Sequence, residues 1–569
     1  MSSSQSTTPH STTMDSPIVN VGLRLSQVAQ RMPQAMAVAE PAGRKADGSR
    51  RYRTVNFEQL EQDSNSIAAG LARMGVTRGT RLVLLVRPSV DFISLVFALF
   101  KAGVVTVLID PGMGRKNLIR CLEESEPEGF VAISPVQAIR TVLRRRFPKS
   151  RYHVTVGRRW FWGGATLAQL RRTPTDDWTA ARTSAHEPAA IIFTTGSTGP
   201  PKGVLYRHGN FDQQVDEIRD RYGIQPGEID LPGFPLFGLF NAVMGVSTVI
   251  PDMDATKPAQ VNPQHIIEHV RDWNVTQSFG SPALWNTAFI ASSMMSNCQR
   301  YGECCRPAAG AAACAARIRR LMNPTAKFTR PTERPSRCPW PRSNRARCWK
   351  KRQLAAPRSA GTCVGRRFSQ IEWRVIRISD EPLATIDQTE SLLRGEIGEL
   401  IVRPVVTSQY VTRVEANPLH KIQDGDTFWH RIGDVGYLDE QDRFWFCGRK
   451  AHRLLTADGP MYTIPCEAIF NQHNQIYRSA LVGVGPAGSQ RPVIVAEPWP
   501  NAAESVSDQQ TLITELRELA QQYDHTRAIT DFLLHPSLPV DIRHNAKIFR
   551  EKLAVWAAEK LLHHVDGSA

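Results

Sequence analysis

Carboxylates are almost absent from one long stretch of this sequence, and cysteine is almost absent from the rest. Residues 287–359 hold 16 Lys and Arg, from Arg300 to Arg358, against only Glu303 and Glu333, so this window carries +14 of the chain's formal +16. The other 496 residues sum to +2, which excludes a basic, nucleic-acid-binding surface spread along the chain. Six of the ten cysteines lie in the same window; Cys121, Cys363, Cys447 and Cys466 are too few and too scattered for a disulfide framework and predict reduced thiols in the cytoplasm. A basic-then-apolar leader is missing from the Ser/Thr-rich start, which predicts a disordered tail over residues 1–17. The longest uncharged run, Leu231 to Pro251, could span a bilayer by length, but Pro232, Gly233, Pro235, Gly238 and Gly245 interrupt it and no basic flank orients it. A buried pocket wall is expected there, and no transmembrane span. No internal repeat or heptad array is visible. What remains is ordinary globular composition, 41% hydrophobic and 22% charged over 569 residues, with room for two or more domains.

From Val19 to about Asp252, helix-like and strand-like segments alternate. Phe57 to Met74 has helical apolar spacing and stops at Gly75; Arg81 to Val86 reads as a strand, Val90 to Lys101 as a helix, and Val104 to Ile109 as a strand closed by Asp110-Pro111-Gly112. This alternation predicts an α/β fold with a parallel sheet covered by helices. Residues 361–448 read as short strands separated by turns, among them Glu372 to Ile378, Gly398 to Val402 and Arg443 to Phe446. After Arg449 a smaller α+β unit is expected: strands at Ala480 to Val484, Val493 to Glu497 and Ile529 to Leu534, with helices at Asp508 to Tyr523 and Ala546 to Leu561.

The most informative stretch is Ile191 to Gly203, IIFTTGSTGPPKG. An apolar strand runs into a loop where glycines free the backbone N–H groups. Thr194, Thr195, Gly196, Ser197, Thr198 and Gly199 would suit phosphate oxygens, and Lys202 supplies the counter-charge. It is not a Walker loop, because Pro201 precedes Lys202 and no Ser or Thr follows. A second candidate is Asp434, which follows Gly433 at a turn and has the chemistry to accept hydrogen bonds from two adjacent sugar hydroxyls. Its alternative is an Asx turn.

TTGSTGPPKG resembles the phosphate loop of the adenylate-forming superfamily, which includes acyl-CoA synthetases, peptide-synthetase adenylation domains and luciferases. Four further segments resemble that superfamily in the right order: ALFKAGVVTVLIDPGMG (98–114), GEIGELIVR (395–403), GDVGYLDEQDRFWFCGRK (433–450) and LPVDIRHNAKIFREKL (538–553). The resemblance implies a large α/β domain with parallel sheets plus a β-rich part over residues 18–449, and a mobile α+β lid over 450–569. It implies ATP and Mg²⁺ as cofactors, ribose contacts from Asp434 and Arg449, a domain hinge at Lys450, and a lysine, Lys547, that stabilises charge during adenylation. FPLFGLFNAVMG (234–245) with VIPDMDATKPAQVNP (249–263) resembles the olefin-pathway β-lactone synthetases, which act on long-chain 2-alkyl-3-hydroxy acids. Many acyl-CoA synthetases are expected to carry a His at the place of Gly238, so Phe234, Phe237, Gly238, Leu239 and Phe240 are expected to form a wide apolar wall for alkyl chains. The alternative is that these aromatics are simply core.

The superfamily pattern lapses between Asn286 and Gly361. A YGATE-like motif belongs between about residues 320 and 345, its Thr near the phosphates and its Glu on Mg²⁺; the chain has RPTERPSRCPW (330–340). Joining the third base of each codon to the first two of the next, through Pro341, gives triplets compatible with Pro-Tyr-Gly-Ala-Thr-Glu-Pro-Leu-Pro-Val-Ala. The window therefore reads as a frame error, with a native basic insertion as the alternative; an insertion would not carry the motif in shifted codons. Thr332-Glu333 lies a few positions early and takes no role, so the metal ligand is unassigned. The resemblance implies AMP-forming activation of a long-chain acid closed to a β-lactone without coenzyme A, and a product handed to other olefin-pathway enzymes. The alternatives are a fatty acyl-CoA or acyl-AMP ligase, and a catalytically dead nucleotide-binding homologue.

Overall fold

The computed structural model describes residues 17–194, 201–234, 237–280, 284, 327–328, 361–403, 409–499, 502, 505–540 and 548–566. The expected tail, except Pro17, and the basic window, except Lys327–Phe328, lie outside the described residues. A seven-stranded sheet runs in the order Ala165–Thr166, Tyr152–Val156, Gly129–Ile133, Arg81–Leu85, Val105–Leu108, Pro188–Thr194, Lys202–Arg207. All neighbours are parallel except the last pair, which is antiparallel. The helix Phe57–Arg73 begins where Asn56 and Gln59 form a capping box, and Phe57, Leu60, Ile67, Ala68 and Leu71 line its buried face. Its neighbour Val90–Lys101 is capped by Ser89 and buried at every position except Asp91, as expected of a crossover helix enclosed in the core. Each large apolar side chain buried there contributes about 1.5–3 kcal/mol. Lys101 is fully buried and joins the two helices, donating to Glu61 Oε2 at 2.6 Å, Asn65 Oδ1 at 2.7 Å and Ser64 Oγ at 2.8 Å. Its charge is satisfied on all three sides, which is what a buried ammonium requires.

A second sheet has the order Lys327–Phe328, Gln277–Ser278, Ile229–Asp230, Ser247–Val249, Met36–Arg44, Arg50–Asn56. The run Leu231–Pro251 folds here as the eight-residue helix Phe237–Met244 and the buried strand Ser247–Val249. No helix among the described residues is long and apolar enough to cross a membrane.

Residues 362–449 form an antiparallel sheet in the order Thr362–Gly365, Phe444–Arg449, Thr427–Leu438, Gly398–Arg403, Glu372–Ile376, with Lys421–Asp424 also paired to Thr427–Leu438. Beyond Arg449 come a short hairpin and the three-stranded sheet Ile476–Val484, Arg491–Pro498, Asp531–Leu534, packed with the helices Val506–Gln521 and Arg550–Asp566. The α/β class, with parallel sheets, a β-rich part and a smaller α+β part, is the one expected. The strand at Ile476 begins four residues before the apolar run because Tyr477 and Arg478 are only half-buried, Arg478 pairing with Glu497 of the adjacent strand.

Candidate active site

The strand Pro188–Thr194 is a hairpin partner of Lys202–Arg207, with Thr194 opposite Lys202. The candidate phosphate loop therefore leaves the carboxyl end of a parallel strand, where open α/β sheets bind their ligands. Thr195, Gly196, Ser197, Thr198 and Gly199 lie outside the described residues; Thr194 is the last residue of its strand.

Lys202 is half-buried, and its ammonium donates to His420 Nε2 at 2.8 Å. It also lies 4.8 Å from the centre of the Tyr410 ring, a cation–π contact. These partners are some two hundred residues away in sequence. Residues 409–412 lie along the strand that Lys202 begins: Val411 N donates to Gly203 O at 2.9 Å, Gly203 N donates to Thr412 Oγ1 at 2.9 Å, and Tyr410 bridges Val204. Gly203 suits that approach, since a Cβ there would lie 3.1 Å from Ile191 Cγ2 and from Thr412 Cγ2 and would press on both. Asn417 then closes the turn, accepting from Tyr410 N at 3.0 Å and donating to Tyr410 O at 3.1 Å, which places His420 over the Tyr410 ring edge.

Burial sets the electrostatics here. It lowers the Lys202 ammonium, with Glu415 acting in the opposite sense. His420 is held down to about 4 by burial and then by Lys202, so it is neutral at pH 7 and can accept the lysine's proton in a hydrogen bond. Lys421 is pushed down to about 7 by burial, and His430 to about 3 by burial and then by Lys421. A group of bases whose charges are each disfavoured suits an incoming anion, which would restore charge balance. Tyr410, Thr412, His420 and Lys421 escaped sequence reasoning, because only strand pairing brings them to Lys202.

Asp434 and Arg449 face each other across adjacent antiparallel strands. Arg449 Nη1 lies 2.8 Å from Asp434 Oδ1 but directs its aligned hydrogen bond to Ile432 O at 2.9 Å. Asp434 Oδ1 is thus a buried acceptor without a hydrogen bond among the described residues. Burial raises the carboxyl and Arg449 opposes that rise. An acceptor short of donors beside a guanidinium has the chemistry to hold neighbouring hydroxyls.

Lys450 opens a 3₁₀ turn, Lys450–His452, and is anchored: it donates to Ser379 O at 2.9 Å and pairs with Glu399 Oε2 at 3.2 Å. Glu399 is fully buried and also paired with buried Arg431 at 2.6 Å. Rotation at this point would have to leave that triad intact or break it.

The residues expected to form the acyl wall sit in different surroundings. Phe234 is 39% exposed, Leu239 and Phe240 pack on the main core, and the Phe237 side chain lies outside the described residues. A Cβ on Gly238 would lie 3.3 Å from Thr248 Cγ2 and 3.4 Å from Pro232 Cγ, so the position faces the sheet and the glycine serves close packing. Behind it, Asn241 donates to Asp230 Oδ2 at 2.8 Å and to Thr248 Oγ1 at 3.1 Å, with Asp230 pushed up to about 7 by burial.

Lys547 lies outside the described residues; flanking Val540 and Ile548 are joined by a bridge. Among the described residues no group of three or more His, Cys, Asp or Glu could hold a metal ion.

Comparison with known proteins adds the following. The chain is 42% identical over 551 residues to the olefin beta-lactone synthetase of Xanthomonas campestris pv. campestris, covering 95% of this chain and 98% of that protein; the Stenotrophomonas maltophilia protein of the same name gives the same figures. Among solved structures, an anthranilate CoA ligase in complex with anthranoyl-AMP matches with a TM-score of 0.71 at 15% identity, covering 96% of this chain and 98% of that one. ATP-bound MatB from Rhodopseudomonas palustris matches with a TM-score of 0.69 at 16% identity, covering 95% and 99%. These two share the fold. The family model for the AMP-binding enzyme matches residues 25–410, and together with the full-length relatives it shows that the chain belongs to the AMP-binding enzyme family, as an ATP-dependent, AMP-forming ligase that activates a carboxylic acid.

Proposed function

We propose that the acid is a long-chain 2-alkyl-3-hydroxy acid and that the product is its β-lactone. The observation that carries this reading is the 42% identity to olefin beta-lactone synthetases over nearly their whole length. The acid's carboxylate oxygen attacks the α-phosphorus of ATP, a P–O bond forms, and the bond to pyrophosphate breaks. Asp434 and Arg449 hold the ribose hydroxyls, while Lys202 and Lys547 offset charge on the phosphoryl oxygens. The substrate's 3-hydroxyl oxygen then attacks the activated carbonyl carbon, AMP leaves with the C–O bond electrons, and the hydroxyl proton passes to solvent. Proximity in one molecule offsets part of the ring strain. Mg²⁺ would neutralise phosphate charge, but the described residues supply no ligand set for it, so its site remains unassigned. Lys450 is the proposed hinge between a nucleotide-binding domain over 18–449 and a lid over 450–569.

The test uses a chain whose reading frame is restored across 287–359. Given ATP, Mg²⁺ and a 2-alkyl-3-hydroxy acid, it should release AMP and a neutral lactone without coenzyme A. Strict dependence on coenzyme A, with a thioester as product, would make it an acyl-CoA ligase instead.

A further inference from the structure

Between Glu128 and Asp176 the chain has ten Arg and Lys and no carboxylate. Four of these cations are neutralised by acids from elsewhere: Arg146 by Glu123, Lys149 by Glu126, Arg151 by Glu128, and Arg171 by Asp63 and Asp91. Arg158 and Arg159 have no carboxylate partner among the described residues. Arg159 donates only to Gly164 O within its own loop, and both side chains stand in solvent. Immediately after them come two large apolar side chains, Trp160 at 58% and Phe161 at 78% exposure.

The loop is built to hold these rings outward. Trp162, only 3% exposed, anchors it, its indole Nε1 donating to Thr155 Oγ1 at 2.9 Å. The Trp160 and Phe161 rings lean on that anchor, with ring centres 5.5 and 5.2 Å from Trp162. Gly157 (φ +97°) and Gly164 (φ +93°) turn the chain at either end, and a Cβ on Gly164 would lie 2.3 Å from His153 O. The apolar tip is therefore preorganised, with its ordering cost met before any partner arrives.

Its place in the fold is equally specific. The loop leaves the carboxyl end of the strand Tyr152–Val156, on the same rim of the parallel sheet as the phosphate loop after Thr194. Four strand spacings separate them, about 19 Å at roughly 4.8 Å each. Exposed Arg87, Arg115 and Lys116 follow the carboxyl ends of the two strands Arg81–Leu85 and Val105–Leu108 on that rim.

We propose that the Trp160–Phe161 loop docks the protein on an anionic lipid membrane, with the rings in the headgroup boundary and Arg158 and Arg159 against lipid phosphates. Exposed aromatics flanked by arginines without acid partners are the chemistry of an interfacial anchor, and neither a purely apolar protein groove nor a free anion needs both. Docking brings the rim that carries the phosphate loop to the phase in which a long-chain acid resides. That purpose rests on the proposed substrate; the docking itself does not.

The test is co-sedimentation of the full chain with phosphatidylcholine vesicles containing phosphatidylglycerol, and with phosphatidylcholine alone, in the absence of ATP and acid. Binding should require the anionic lipid and weaken as ionic strength rises. Arg158→Glu/Arg159→Glu should lower partitioning at least about tenfold, since each cation near such a surface is worth roughly fivefold. Trp160→Ser/Phe161→Ser, which leaves charge unchanged, should lower it by a similar factor, and vesicles should slow amide exchange over 157–164. Both variants binding within about twofold of the parent would overturn the proposal and move any affinity to the basic window. Absence of parent binding would also overturn it, as would a self-association lost on Phe161→Ser without lipid. Because no substrate is present, failure here is distinct from failure of the lactone assay.

Discussion

Replacing Asp434 by Asn in the frame-restored protein tests the proposed ribose site with little change of shape. Among the described residues the carboxylate has a buried Oδ1 without an aligned hydrogen bond, since Arg449 Nη1, 2.8 Å away, directs its aligned bond to Ile432 O. Two ribose hydroxyls donating to an ionised carboxylate would make charge-assisted bonds of about 1.5–3 kcal/mol each, and a neutral amide acceptor reduces each to about 0.5–1.5 kcal/mol. The expected loss is about 2–3 kcal/mol, roughly thirty- to over a hundredfold in Kd for ATP. Calorimetric titration with ATP and with its 2′,3′-dideoxy analogue supplies the control. The parent should bind the dideoxy compound far more weakly than ATP, and in the variant that preference should shrink by the same factor, roughly thirty- to hundredfold. Stability should move the other way. Burial raises the folded-state pKa of this carboxyl above its unfolded value, so its contribution is most favourable below the unfolded pKa and is lost as pH rises. At neutral pH the Asn variant should therefore melt at the same temperature as the parent or higher. A variant that still prefers ATP over the dideoxy analogue by the parent's factor would refute the ribose assignment.

Two further outcomes concern the proposed adenylation lysine and the histidine beside Lys202. Lys547→Ala should reduce the adenylation rate far more than ATP affinity, because a contact made in the transition state shows in turnover; single-turnover adenylation within a few-fold of the parent would remove Lys547 from the chemistry. His420 is favoured as the neutral base in the folded state, with its pKa lowered from 6.5 to about 4, so its contribution is full above 6.5 and is lost as pH falls through that interval. His420→Gln should therefore flatten the fall of melting temperature between about pH 6.5 and 4, and an unchanged slope would show that this histidine is not held neutral by Lys202 and burial.

Much of the fold was legible because it rests on local signals. The Asn56 cap and the apolar spacing from Phe57 to Leu71 define one helix, and the apolar run Val90 to Lys101 another, with little help from the rest of the chain. Asp434 and Arg449 were legible for a related reason: they lie on strands joined by the tight Asp439–Arg443 turn, so a motif sixteen residues long contains both. Lys202 was found, but not His420, Tyr410 or Thr412, since their meeting depends on residues 409–412 pairing with a strand some two hundred positions away. The surroundings of Gly238 were not legible for a different reason. A glycine in a sequence signals a missing side chain but not the direction in which that side chain would point, and here it points at Thr248 and Pro232.

The basic window bears most directly on activity, since the superfamily's YGATE-like motif is readable there only in shifted codons. Isotope exchange between pyrophosphate and ATP, dependent on a 2-alkyl-3-hydroxy acid, should be compared in the chain as written and in the frame-restored chain. Acid-dependent exchange in the restored protein, with little or none in the unrepaired one, is the expected result. Absence of exchange in the restored protein would contradict acid activation by this site, and full exchange in the unrepaired chain would make the window a native insertion.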